Sequence, residues 1–206
     1  MRKRTGSFVA GIGALVVASV LVVCFGPAIR QERLDTALLA AVRQNDARAV
    51  AARLANGADA NLRSLRGNTR SIFGRWLARW THKSPSTETP PNALLEALEV
   101  GNEADDDSRK LADNDAIVAA LVEHGADVNR YEYANDTPLR VAIGWYRPNI
   151  VRLLLAHGAD PNQGNGETGT VLYGELHQGL TAHTTPSQNR IHAEIIRLLR
   201  NAGAKE

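Results

Sequence analysis

Six histidines, a lone cysteine and one run of carboxylates are the residues of this 206-residue chain that could do acid–base, nucleophilic or metal chemistry. The histidines are His82, His124, His157, His177, His183 and His192. Catalysis needs such groups in a constellation: paired histidines with a glutamate on one helix, a serine on a glycine-flanked elbow, or a glycine-rich loop ending in lysine. The sequence contains none of these patterns. Cys24 lies inside an apolar run rather than beside a base. His177 and His183 stand near Glu175 without the spacing of a zinc site. Glu103, Asp105, Asp106 and Asp107 lack the alternate-residue ligands and central glycine of a calcium loop, so they read as a solvated loop. No enzyme, no cofactor and no metal site is expected, and no small-molecule substrate.

The side chains suited to binding lie elsewhere. Between Leu62 and Lys83 the chain carries Arg63, Arg66, Arg70, Arg75, Arg79 and Lys83 with no acidic residue. Ile72, Phe73, Trp76, Leu77 and Trp80 recur at helical spacing and form one apolar face beside Arg75 and Arg79. Tryptophan and arginine dominate the energetics of protein interfaces, which makes Arg66, Arg75, Trp76, Arg79 and Trp80 candidate partner contacts. The same pattern suits an amphipathic helix lying on anionic lipid, or a helix folded back to cap the rest of the chain. Lys and Arg exceed Asp and Glu by 24 to 22, so the basic character is local and nucleic acid is not an expected partner.

The chain opens Met-Arg-Lys-Arg, and from Thr5 to Ile29 it has no charge. Phe8 to Phe25 is an apolar run of 18 residues, close to the ~17–25 that cross a bilayer. The basic flank predicts a cytoplasmic N-terminus and a single-pass anchor in the inner membrane, with the C-terminal part on the periplasmic side. Two alternatives stand beside the anchor. Gly26-Pro27-Ala28 resembles a signal-peptidase site, which would release a secreted or periplasmic protein, and Leu-Val-Val-Cys24 resembles a lipobox.

What must position the binding residues is a repeat. Thr137–Asn162 reads TPLRVAIGWYRPNIVRLLLAHGADPN: a Thr N-cap, Pro at the first helical position, two apolar stripes and a closing Gly158 in a left-handed turn. Thr36–Asn61 matches it without a gap, Asn92–Asn129 begins NALLEAL and ends IVAALVEHGADVN, and a fourth unit runs from Thr170 through IIRLLRNAGAKE. Gly125 and Gly158 are 33 residues apart. Each glycine follows a helix, so Gly57, Gly125 and Gly158 are turn glycines and not phosphate-binding ones.

This pattern resembles ankyrin repeats, with Arg140 where that family usually carries His. The resemblance implies an all-α solenoid of about four helix-turn-helix units at 34–61, 92–129, 137–162 and 170–206. The solenoid (34–206) is preceded by an N-terminal transmembrane or signal helix (1–29) and interrupted by an insertion at 62–91. It also implies a protein-binding function, with the inter-unit fingers and first helices lining a concave face. Tyr131 and Tyr133 fall in such a finger and are further candidate contacts, unless they pack on neighbouring fingers. His124, His157 and His192 read as structural. Trp145 and Tyr146 replace the small residues usual between the two helices and are expected to pack on a neighbouring unit's insert. The second and fourth units carry about 12 extra residues between their helices, including the acidic run and the polar Thr181–Gln188, and these read as loops. The whole reads as an interaction module at the cell envelope; the alternative is a structural or membrane-surface protein whose insertion contacts anionic lipid.

Overall fold

The computed structural model describes residues 26–62, 92–102, 108–130, 137–163 and 185–205. These form helices and turns, with no strand among them. In chain order the helices are α1 (26–43), α2 (Ala47–Ala55), α3 (Ala93–Asn102), α4 (Ser108–Glu123), α5 (Pro138–Gly144), α6 (Pro148–Ala156) and α7 (Pro186–Asn201). Pairs α3–α4 and α5–α6 pack as hairpins. The second helices stack in a row, α2 on α4 on α6 on α7, and α3 packs on α5 in a parallel row of first helices. A helix pair of this size cannot bury its apolar stripe alone, so the core is built between neighbours. It runs through Leu38, Val50, Leu54, Leu94, Leu98, Ile117, Leu121, Leu139, Ile150, Leu154, Ile195 and Leu199, all 3 % exposed or less.

The helix starts follow from capping chemistry. Thr137 accepts from the Arg140 amide at 3.2 Å with Pro138 in the first turn, and Asn92 accepts from the Leu95 amide at 2.8 Å. In the first unit the equivalent Thr36 starts nothing. It lies inside α1, which is helical from residue 26, and its hydroxyl donates to the Glu32 carbonyl at 2.7 Å. The expected membrane span at Phe8–Phe25 lies outside the described residues, and no described helix is long and apolar enough to cross a membrane.

The second helices differ in length. α2 and α6 have 9 residues each, whereas α4 and α7 have 16. Measured back from the closing glycine, α4 and α7 start seven residues earlier (Gly125 minus Ser108 and Gly203 minus Pro186 are 17; Gly57 minus Ala47 and Gly158 minus Pro148 are 10). More than half of the residues read as inter-helix loop are therefore helix. The polar run at Thr181–Gln188 ends in a capping box: Thr185 accepts from the Gln188 amide, Gln188 accepts from the Thr185 amide at 2.8 Å, and Pro186 opens the helix.

Candidate protein-interaction surface

A repeat array can present side chains to a partner only if its units are held in register, and here one device does this at every step. After each second helix the chain turns at a glycine with φ of +83° to +89°: Gly57, Gly125, Gly158 and Gly203. The glycine amide and the one after it close back onto the helix, as in Gly125 to the Val122 carbonyl and Ala126 to the Leu121 carbonyl, both 3.0 Å. This double closure needs a left-handed residue, which glycine adopts without a Cβ penalty. Asp59, Asp127 and Asp160 then accept from the amide two residues on, at 2.8–3.0 Å, folding the turn.

Each turn ends in an asparagine that grips the next one. Asn61 donates to the Gly125 carbonyl at 2.8 Å and accepts from the Asp127 amide at 2.7 Å. Asn129 makes the same pair with Gly158 and Asp160, and Asn162 with Gly203 and Lys205. Among the described residues no glycine turn precedes the first one, and α1 makes the corresponding contacts. Gln31 donates to the Gly57 carbonyl at 3.0 Å, and Asp35 accepts from the Asp59 amide at 3.1 Å while also accepting from Gln31 at 2.8 Å. The N-terminal half of α1 thus caps the array. The repeated GAD-x-N spacing is visible in the sequence; Gln31 and Asp35 have no repeat to reveal them.

All seven predicted contacts lie outside the described residues: Arg66, Arg75, Trp76, Arg79 and Trp80 in 63–91, and Tyr131 and Tyr133 in 131–136. Their flanks are described. The insertion leaves at Leu62 and returns at Asn92 with its ends joined, since the Ala93 amide donates to the Leu62 carbonyl at 3.1 Å. The residues that flank it are therefore held side by side. Beside that junction, residues 92–98 are all buried, including Glu96 at 1 % exposure. Arg43 Nε donates to Glu96 Oε1 at 2.5 Å, and Oε2 has no partner among the described residues. The equivalent positions in the other units are Ala40, which is exposed, and Val141, which is half-buried. The open first-helix surface among the described residues comes from Ala40 and Arg43 of α1, Glu99 of α3, and Arg140, Val141 and Gly144 of α5.

At the opposite end, where first helix turns into second, the units are joined by buried polar side chains. Asn45, at φ 53°, donates to the Lys110 carbonyl at 2.7 Å. Asn114 is fully buried; its amide donates to the Ala97 carbonyl at 2.8 Å and to Asn45 Oδ1 at 3.2 Å, and its Oδ1 accepts from Arg147 at 2.7 Å. Arg147, 7 % exposed, also pairs with Asp115. Gly101 makes the room: a Cβ there would sit 2.2 Å from Asn114 Oδ1 and 2.3 Å from Arg147 Nη1. Trp145 and Tyr146 remain 44 % and 40 % exposed. The Tyr146 ring, at φ 52°, meets His192 of α7 edge-on at 4.6 Å, so it does pack on a neighbouring unit, but on its helix. The acidic run at 103–107 lies outside the described residues. His124 and His157 have the structural role expected of them: each Nδ1 hydrogen-bonds the carbonyl four residues earlier at 2.9 Å. No group of three or more potential metal ligands occurs among the described residues.

Comparison with known families agrees with this geometry. A family model described as Ankyrin repeats (3 copies) matches residues 108–165. That segment holds α4, the following finger, the α5–α6 hairpin and the Asn129 link between two glycine turns. No curated protein matches the chain. Ankyrin repeats are in general protein–protein interaction modules and typically non-catalytic. Residues 108–165 are thus similar to ankyrin repeats, and the stacked helix pairs joined turn to turn are consistent with that likeness.

Proposed function

We propose that this protein is a partner-binding module displayed at the cell envelope. In this reading it engages a protein through the concave side of the array together with the basic, aromatic insertion at 62–91. The observation that carries the reading is the turn-to-turn asparagine ladder, which links each glycine turn to the next in one geometry. A preformed surface loses little conformational entropy on binding, so modest contacts suffice for a stable complex. Arg43, Arg140 and the arginines and tryptophans of the insertion supply side chains of the kind that anchor interfaces. Display at the outer side of the inner membrane rests on the basic flank and the apolar run at Phe8–Phe25.

The test is crosslinking capture from native cells with full-length protein tagged at the C-terminus, beside a deletion of 63–91 and a Trp76→Ala/Trp80→Ala pair. One protein captured by the parent and lost from both variants, with their unfolding midpoints unchanged, is the expected result. Capture that survives both changes would remove the insertion from the binding surface and leave the first-helix faces. Retention of the protein on vesicles of phosphatidylcholine and phosphatidylglycerol, lost with the insertion while no protein is captured, would favour the lipid-contact reading instead.

A further inference from the structure

We propose a second site, independent of the partner surface: an anion pocket that takes a phosphate group, formed where α1 passes the end of α2. A cleft of about 290 Å³ is lined by Gly26, Ile29, Arg30, Arg33 and Leu34 of α1 and by Arg53 of α2. Three guanidinium groups border it and, among the described residues, no carboxylate does. Arg30 and Arg33 are three apart on one helix, which makes them neighbours on its surface. Arg53 approaches from the last turn of α2. All three are exposed. Of the carboxylates near them on α1, Glu32 does not line the cleft, and Asp35 is committed to Gln31 and the Asp59 amide.

Like charges gathered from two helices repel one another, and an anion held between them turns that repulsion into attraction. The planar guanidinium fork matches phosphate oxygens two at a time, which a single lysine ammonium cannot do. The cleft has an apolar wall as well, because Ile29 is 45 % exposed and Leu34 half-buried beside the arginines. Space remains at its mouth, since a Cβ added at Gly26 would meet nothing within 4 Å. The matching ligand is a phosphate ester with a small organic portion. It can come from solution or from a glycerophospholipid headgroup, and the cleft follows directly on the apolar run that ends at Phe25.

The experiment uses the full chain in neutral detergent and reads the thermal unfolding midpoint at constant ionic strength, with chloride as the reference. A ligand that binds the folded state raises the midpoint with its concentration. The probes are inorganic phosphate and dihexanoyl phosphatidylglycerol. Wild type should respond to at least one of them, and Arg33→Gln and Arg53→Gln should each weaken the response about tenfold, the size of one lost charge-assisted hydrogen bond. Arg48→Gln, an exposed arginine outside the cleft, should leave it unchanged. A response to phosphate assigns a soluble anion, and one to the lipid alone assigns the headgroup. No midpoint rise beyond chloride with either probe overturns the proposal. So does a loss in Arg48→Gln equal to that in Arg53→Gln, which would mean undirected charge attraction.

Discussion

The two ends of the helix pairs solve the same problem in opposite ways. At the glycine end, three successive links have one geometry, with an asparagine amide placed between a glycine carbonyl and an amide two residues on. These bonds are exposed and involve mostly backbone partners, so the link works whatever side chains surround it. At the other end each junction differs. Asn45, Asn114 and Arg147 form one network centred on the buried Asn114, Tyr146 meets His192, and two of the second helices run seven residues longer than the others. The contrast teaches that one end repeats its link even where the insertion at 62–91 departs from it, because the Ala93 amide bonds back to the Leu62 carbonyl, whereas the other end is joined differently at each junction.

The comparison can be broken most severely at the buried end. Arg147→Ala leaves Asn114 Oδ1 buried without its donor and Asp115 without its cation, and should cost about 2–4 kcal/mol. Urea unfolding monitored by circular dichroism reads this as a lower midpoint. Gly101→Ala should cost about 2 kcal/mol through the same network, because its Cβ has no room. A double mutant with Arg147→Ala should then cost less than the sum of the two, and strict additivity would show that the contacts are not shared.

At the repeated end the effects should be smaller and alike. Asn61→Ala and Asn129→Ala each remove two exposed hydrogen bonds and should cost about 1–2 kcal/mol apiece. A difference of more than about 1 kcal/mol between them, well beyond the scatter of distant sites, would refute the equivalence of the links. Gln31→Ala tests whether α1 serves as the missing first link. It should lower stability by about 0.5–1 kcal/mol and speed amide exchange at Asp59 before that at Asp127. The smallest effect is expected at Tyr146→Asn, where relief of the left-handed conformation offsets the lost contact with His192, for a net change within about 0.5 kcal/mol.

Much of the glycine end is legible in the amino-acid sequence. The GAD-x-N spacing, the Thr-Pro helix starts and the two stripes per unit all depend on local rules, in which a residue type answers to the turn or cap it sits in. The insertion lengths are legible as well, but not their form. Ser108–Asn114 and Pro186–His192 are mostly polar, so they carry no stripe to mark them as helix. Their helicity comes from continuing α4 and α7 backwards from a packed segment, where each added residue gains a backbone bond at no nucleation cost. The capping box at Thr185 and Gln188 is a usable signal that the surrounding polarity masks. Of the candidate contacts, Arg66, Arg75, Trp76, Arg79, Trp80, Tyr131 and Tyr133 rest on residue type and spacing, and what the structure adds is where their flanks are pinned.

By itself the sequence determined that this is a repeating array of helix pairs, because period, turn glycines and apolar stripes are properties of neighbouring residues. It also determined where charge and aromatic groups concentrate. Only the tertiary structure decided which side chains carry one unit to the next, since Asn61 reaches Gly125 across 64 positions and Arg147 reaches Asn114 across 33. The same is true of Arg53, which shares a cleft with Arg30 and Arg33 because α2 packs beside α1. Contacts of that kind depend on how whole elements pack, and packing is settled by the summed burial of many side chains rather than by any short pattern.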